Sequence, residues 1–211
     1  MHAVTLDLWR TLIDESPASG TGTSRLDARV DGLMRTLADA GLAFQRSRIE
    51  DAMARSRESF DRDHDRGTDV TFEGRVLQLL DFIETGLSRR LPADAMADAI
   101  HAVDAPFLDH PPLPVASAGE VLETIARMNV RMALISNTGF TSAAVYRGWL
   151  SQLGWLRWLS VTTFSNEAAV AKPTPEIFRR TLAALAVEPR RAMHVGDSPL
   201  HDVAGAKQAG M

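Results

Sequence analysis

With 211 residues, 45% of them hydrophobic and 24% charged, the chain has the size of one large domain or of a domain with an insertion, and enough apolar side chains for a core. Its formal net charge is −4 and it has no basic tail, which excludes nucleic acid as the default partner. No apolar run is long enough to span a bilayer, no signal peptide precedes the first strand, and the absence of cysteine removes disulfides, thiolate metal sites and cysteine nucleophiles, so the expected address is cytoplasmic.

Val4, Thr5 and Leu6 read as a short buried strand that ends at Asp7. After Leu12 the pattern dissolves, and Glu15–Ser24, rich in Gly, Ser, Thr and Pro, reads as a flexible loop. Four helical patterns follow. Leu26, Val30, Leu33, Met34 and Leu37 fall at helical spacing and stop near Gly41; Ile49, Met53 and Phe60 mark a weaker second helix. Phe72, Val76, Leu79, Leu80, Ile83 and Leu87 form the best apolar face, and Met96, Ala99, Ile100 and Val103 a fourth. His110–Pro114 stops helices and reads as a linker.

From Ala118 the period alternates. Val121, Leu122, Ile125 and Met128 make a helix face, and Val130–Ile135 a strand. Ser142–Leu153 is a helix, Ser160–Phe164 a strand, Pro175–Ala186 a helix, Met193–Val195 a strand, and Asp202 opens a last helix to Ala209. This rhythm predicts an α/β fold, a parallel sheet with helices on both faces. A helical unit of about a hundred residues, a usual domain size, is inserted after the first strand. A further strand after Met211 would be natural. There is no internal repeat.

Four stretches carry chemistry. A carboxylate such as Asp7, at the carboxyl end of an inner strand, lies where open α/β sheets bind ligands, and it can act as a nucleophile. Standing alone, an aspartate after a strand is more often a turn residue or a helix cap. Ser136-Asn137-Thr138 ends a second strand; the serine offers a hydroxyl, and the following backbone N–H groups can cradle an oxyanion. Lys172 precedes Pro173 amid apolar residues and punctuation, with Pro175 suited to a helix start. In His194–Asp202, Gly196 and Asp197 end a strand. Asp7, Asp197 and Asp202 at neighbouring strand ends would crowd negative charge, which is costly unless a cation sits among them. Oxygen-only ligands suggest Mg²⁺.

Together these stretches resemble the haloacid dehalogenase-like hydrolases. The family's four motifs correspond to Asp7-Leu8-Trp9-Arg10-Thr11, Ser136-Asn137-Thr138, Lys172-Pro173 and Gly196-Asp197 through Asp202; S-N-E before A-V-A-K-P and the closing A-G-A-K-Q-A-G-M add to the likeness. The resemblance implies a Rossmann-like three-layer core of residues 1–14 and 114–211, with a helical cap, 15–113, that closes over the site and reads the substrate. Asp7 would be the nucleophile, Ser136 would hold a phosphoryl oxygen, Lys172 would balance charge, and Thr11 would brace the loop. Asp7, Asp197 and Asp202 would hold Mg²⁺ with the Trp9 backbone carbonyl; Ser136, Asn137, Trp9 and Arg10 would face substrate. The implied partner is a small phosphorylated molecule, with no nucleic acid and no membrane.

One departure matters. Family phosphatases carry a second aspartate two residues after the nucleophile, as general acid and base, and here that residue is Trp9; the next, often glycine, is Arg10. A lost general acid removes a factor of about 10²–10⁴. Three accounts compete: a substrate with a good leaving group, a proton from Asp14 or a cap residue, or dehalogenation, whose halide needs no acid. Family dehalogenases also carry an aromatic residue here, but they need no metal and lack the full G-D-x-x-x-x-D pattern that this chain keeps. Phosphatase therefore ranks ahead of dehalogenase. A decayed site that binds a phosphorylated ligand is the third class.

Other features read as structural. Asp61-Arg62-Asp63-His64-Asp65 has the alternating charge of a solvated helix end, though it could line the cap mouth. Trp149, Trp155 and Trp158 read as core, with a homodimer interface as the alternative. His194 reads as core and His201 as near the site. Arg10 could reach an anionic substrate or make a salt bridge at the cap hinge.

Overall fold

The computed structural model describes residues 1–15 and 24–211, so the loop expected over Glu15–Ser24 falls mostly on residues 16–23, outside the described residues. In chain order the elements are β1 (Ala3–Leu6), β2 (Ile13–Asp14), α1 (Arg25–Asp39), α2 (Arg46–Asp65), α3 (Phe72–Ile83), α4 (Leu87–Arg90), α5 (Ala93–Asp104), α6 (Pro106–Asp109) and β3 (Leu113–Pro114). Then come α7 (Ala118–Arg127), β4 (Arg131–Ser136), α8 (Ala143–Gln152), β5 (Leu159–Phe164), α9 (Ser165–Ala168), α10 (Pro175–Ala184), β6 (Ala192–Val195) and α11 (Gly205–Ala209).

The main sheet has the order β5-β4-β1-β6, and every pair in it is parallel. β1 is buried along its whole length because helices cover both faces. On one face Val4, Leu6, Met132 and Leu134 pack with Leu122, Tyr146, Trp149, Trp155 and Phe164. On the other, Ala3 and Ala133 meet Leu182 and Leu185, while Ile135 meets Ile177 and Phe178. Trp149 and Trp155 are thus core residues. The carboxyl ends of β1, β4 and β6 lie side by side, which brings Asp7, the loop after Ser136 and the loop after Val195 to one edge.

The helices α1 to α5 enclose a separate cluster that includes Val30, Leu33, Met53, Val76, Leu80 and Val103. α1 starts in a capping box: Ser24 Oγ accepts the Asp27 N–H, and the Asp27 carboxylate accepts the Ser24 N–H. The third apolar face does not run unbroken to Leu87. It stops at Ile83, because Gly86 turns with φ +77°, and Leu87 opens a new helix that still packs in the same cluster. Nor is His110–Pro114 only a linker: Leu113 and Pro114 pair antiparallel with Asp14 and Ile13, tying the two ends of the inserted segment together. Val121 and Met128 are exposed, since the helix rests on the sheet through Leu122.

Two contacts seat the helices on the sheet's edge. Phe60 lies against Gly139, where a Cβ would come within 2.7 Å of its ring. The Gly67 carbonyl accepts from Ala171 N (3.0 Å) and Thr174 Oγ1 (3.0 Å), and Thr68 bridges to Val170. No helix among the described residues is long and apolar enough to cross a membrane.

Phe107, from α6, is fully buried in the sheet's cluster, with Tyr146, Trp149 and Trp9 around it at 4.7, 5.5 and 6.5 Å between ring centroids. Phe107→Ala should therefore lower unfolding free energy by about 3–5 kcal/mol, read from urea midpoints.

Candidate active site

Asp7 follows β1 directly, and its N–H donates to the Val195 carbonyl (2.8 Å), so the parallel pairing with β6 sets its position. Its carboxylate is buried and accepts from Lys172 Nζ at 2.6 Å. The same ammonium donates to Asp202 Oδ1 at 2.5 Å. Asp202 also faces His194 Nε2 at 3.0 Å and accepts from Ser198 N at 2.8 Å. Asp7, Asp197 and Asp202 each place a carboxylate oxygen within 4.8 Å of the others.

Burial pushes the Asp7 carboxyl above its ordinary range; Lys172 works against this shift and Asp202 reinforces it. Burial acts in the same direction on Asp202, but hydrogen bonding to His194 and the Lys172 charge outweigh it and hold that carboxyl well below its usual range. Burial lowers the His194 imidazole, partly offset by Asp202. Of the two buried carboxylates, Asp202 is the charged structural partner of Lys172, and Asp7 is the strained one.

Lys172 is itself held by Asn137. The Asn137 side chain donates to the Lys172 carbonyl (2.9 Å) and accepts the Lys172 N–H (2.8 Å). The residue expected to face substrate thus fixes the backbone that carries the ammonium. Ser136 is fully buried, and its hydroxyl turns to the Asn137 carbonyl at 3.2 Å. Of the backbone donors that follow Ser136, the Thr138 N–H is already donated to Ser165 Oγ (2.9 Å). Thr11 Oγ1 is buried with no hydrogen-bond partner among the described residues.

Trp9 packs through its indole: Nε1 donates to Tyr146 Oη (3.0 Å), and Arg25 lies over the ring. Arg10 adopts φ +58°, the left-handed region that favours glycine, which accounts for the glycine common there. Its guanidinium is exposed and lies 3.9 Å from Asp197. Gly196 also admits no side chain, since a Cβ would overlap the Asp202 carboxylate. Asp202 does not open the last helix; a wide π-helical turn begins at Pro199 and holds Asp202 in its middle, with Ser198 Oγ accepting the His201 N–H.

A cavity of about 700 Å³ joins these residues to side chains of the helical segment, among them Arg25, Arg29, Arg57, Phe60 and His64. Sequence reasoning missed two participants. His194 is more than core, because it bonds Asp202 and, through Nδ1, Thr5 Oγ1 at 2.8 Å. His64 is not solvated surface: its ring is buried, with Nε2 3.0 Å from Asp69. The two pairs share no spacing, five residues for His64–Asp69 and eight for His194–Asp202, so no local pattern signals them.

The haloacid dehalogenase-like hydrolase profile matches residues 1–210, and the chain belongs to that family. It is 35% identical over 102 residues to the phosphoserine phosphatase of Thermus thermophilus, covering 48% of this chain and 39% of that protein. It is 30% identical over 127 residues to the glyceraldehyde 3-phosphate phosphatase of Methanopyrus kandleri, covering 59% of this chain and 54% of that protein. These matches thus span about half or less of the relatives' length. A 2-haloacid dehalogenase from Pseudomonas syringae pv. Tomato shares the fold, with a TM-score of 0.64 and 20% identity over 100% of this chain and 84% of that one.

Lys172→Met would leave Asp7 and Asp202 buried without their cation. With chelator present, stability at pH 7 should fall by about 3–5 kcal/mol. The stability from the depressed Asp202 carboxyl is present above the ordinary carboxylate range and lost as pH falls through its folded value. The deficit of the variant should therefore begin to shrink as pH falls below the ordinary carboxylate range, as read by urea unfolding from pH 7 to pH 3.

Proposed function

We propose that this chain is a Mg²⁺-dependent phosphatase for a small phosphorylated molecule, working through a phosphoryl group carried on Asp7. The observation that carries this reading is the crowding of charge at the strand ends: three carboxylates lie within 4.8 Å of one another, and a buried ammonium bonds only two of them, Asp7 and Asp202. Asp202 has both oxygens engaged by Lys172, His194 and Ser198. Asp7 and the half-exposed Asp197 keep free lone pairs, and an all-oxygen donor set suits a hard divalent cation. In this reading Asp7, Asp197 and the Trp9 carbonyl hold the ion, and Asp202 supports it. A magnesium ion bound there offsets the charge of the carboxylates and of the phosphoryl oxygens.

The protein's own groups supply the rest. Asp7 attacks phosphorus; Lys172 holds it in place and balances the equatorial oxygens, helped by the Ser136–Thr138 loop. Residues 1–14 and 114–211 act as the core, and residues 15–113 as a cap whose side chains select the substrate. Two relatives are named for small phosphorylated substrates, which supports this substrate class. The dehalogenase reading has one observation in its favour: an aromatic residue, Trp9, stands where phosphatases keep their acid.

Phosphate and halide release from panels of phosphate esters and 2-haloacids, with and without Mg²⁺, separates these readings. Phosphate should appear only with metal, and chelation should stop it reversibly. Halide released without metal would establish the dehalogenase, and silence on both panels would favour a binding role. Asp7→Asn should cut turnover by at least about 10⁴-fold, the top of the usual worth of an acid–base group, with the melting temperature held within a few degrees. Undiminished turnover would remove Asp7 as nucleophile.

A further inference from the structure

We propose that His64, held by Asp69, is the general acid and base of this site, in the place that family phosphatases give to an aspartate and this chain gives to Trp9. The proposal rests on the phosphatase reading. His64 lies near the end of α2, where the helix reaches over the strand ends, and its ring lines the same cavity as Asp7 and Lys172. Three residues later the Gly67 carbonyl is bonded to Ala171 N, the neighbour of Lys172, so the imidazole is tethered to the wall of the site rather than to solvent.

The pair has the build of an acid–base unit. Nε2 is 3.0 Å from Asp69 Oδ2, and both side chains are buried. Burial pushes the Asp69 carboxyl up, but His64 and Arg75 outweigh it and keep the carboxyl below its usual range, an anion able to fix the ring. His64 Nδ1 has no hydrogen-bond partner among the described residues. A ring with one nitrogen fixed by a carboxylate presents the other for proton transfer.

Other proton sources in the cavity fit less well. Tyr146 Oη already accepts the Trp9 N–H, and burial pushes this phenol up to about 12. Asp14 and Glu15 are exposed, and Glu15 pairs with Arg25. His201 sits at the rim, paired with Asp65.

The steps balance. Asp7 forms a bond to phosphorus as the bond from phosphorus to the leaving oxygen breaks, and that oxygen takes the proton from His64 Nδ1. Water then attacks the phosphoryl group on Asp7, giving its proton to Nδ1, and the Asp7–phosphorus bond breaks to release phosphate.

The test is a leaving-group series: 4-nitrophenyl, phenyl and n-propyl phosphate, with kcat/KM for wild type and for His64→Gln, whose amide can keep the Asp69 bond. Wild type should show a shallow dependence on leaving-group acidity. In His64→Gln the ratio of propyl to nitrophenyl kcat/KM should fall about 10²–10⁴-fold. Equal losses on all three esters would make His64 structural and overturn the proposal. So would a steep dependence in wild type, a result that does not need the variant to fold. No phosphate from any ester would remove the phosphatase reading itself, and the His64 role with it.

Discussion

Lys172 stands between two buried carboxylates, and the rest of the site is arranged around that ammonium. Taking one cation and two anions out of water is costly unless geometry and further hydrogen bonds compensate. Here they do so unequally. Asp202 collects Lys172, His194 and a backbone N–H, and is held firmly charged. Asp7 receives the ammonium but also feels Asp202, and its carboxyl is driven up. The asymmetry leaves the residue at the end of β1 as the one whose charge is least satisfied. A group in that state gains most from an added cation or from sharing its charge with an electrophile.

Support for this ammonium comes from far along the chain. Asn137, after β4, clamps the Lys172 backbone at two points, and Ser165, after β5, takes the Thr138 N–H of the same loop. Each is the first or second residue past a strand end, so the parallel sheet itself delivers them to one edge. Above that edge, the helical segment is pinned by Phe60 on Gly139 and by Gly67 on the Ala171–Thr174 loop. Those pins bring Arg25, Arg29 and His64 into the cavity over the carboxylates.

The fold was legible because both of its periods are written in side chains. Val4 to Leu6 and Arg131 to Ser136 are runs that only a strand buried on both faces can use. The helices show one apolar stripe each, with Ser142 and Pro175 marking the starts of two of them. Less legible were the short pieces. The two-residue pairing of β2 with β3 and the π-helical turn around Asp202 lack a periodic signal, because neither is long enough to have a period.

At the site the division follows the reach of the interactions. Local patterns marked Asp7, Lys172, Asp197 and Asp202 as acids and a lysine at strand ends beside Gly and Pro, and the order of the four motifs, through the family resemblance, gave them roles. Whether Asn137 turned to a ligand or to Lys172, whether the Thr138 N–H stayed free, and whether His64 faced water or Asp69 could not be read from neighbours in the chain. Each is settled by a contact with a partner on another element or across a turn, whose direction depends on how the helices settle on the sheet. Residue types and their order thus determined which chemistry the chain can hold. Only the packing decided which of those groups are spent on one another and which are left to act.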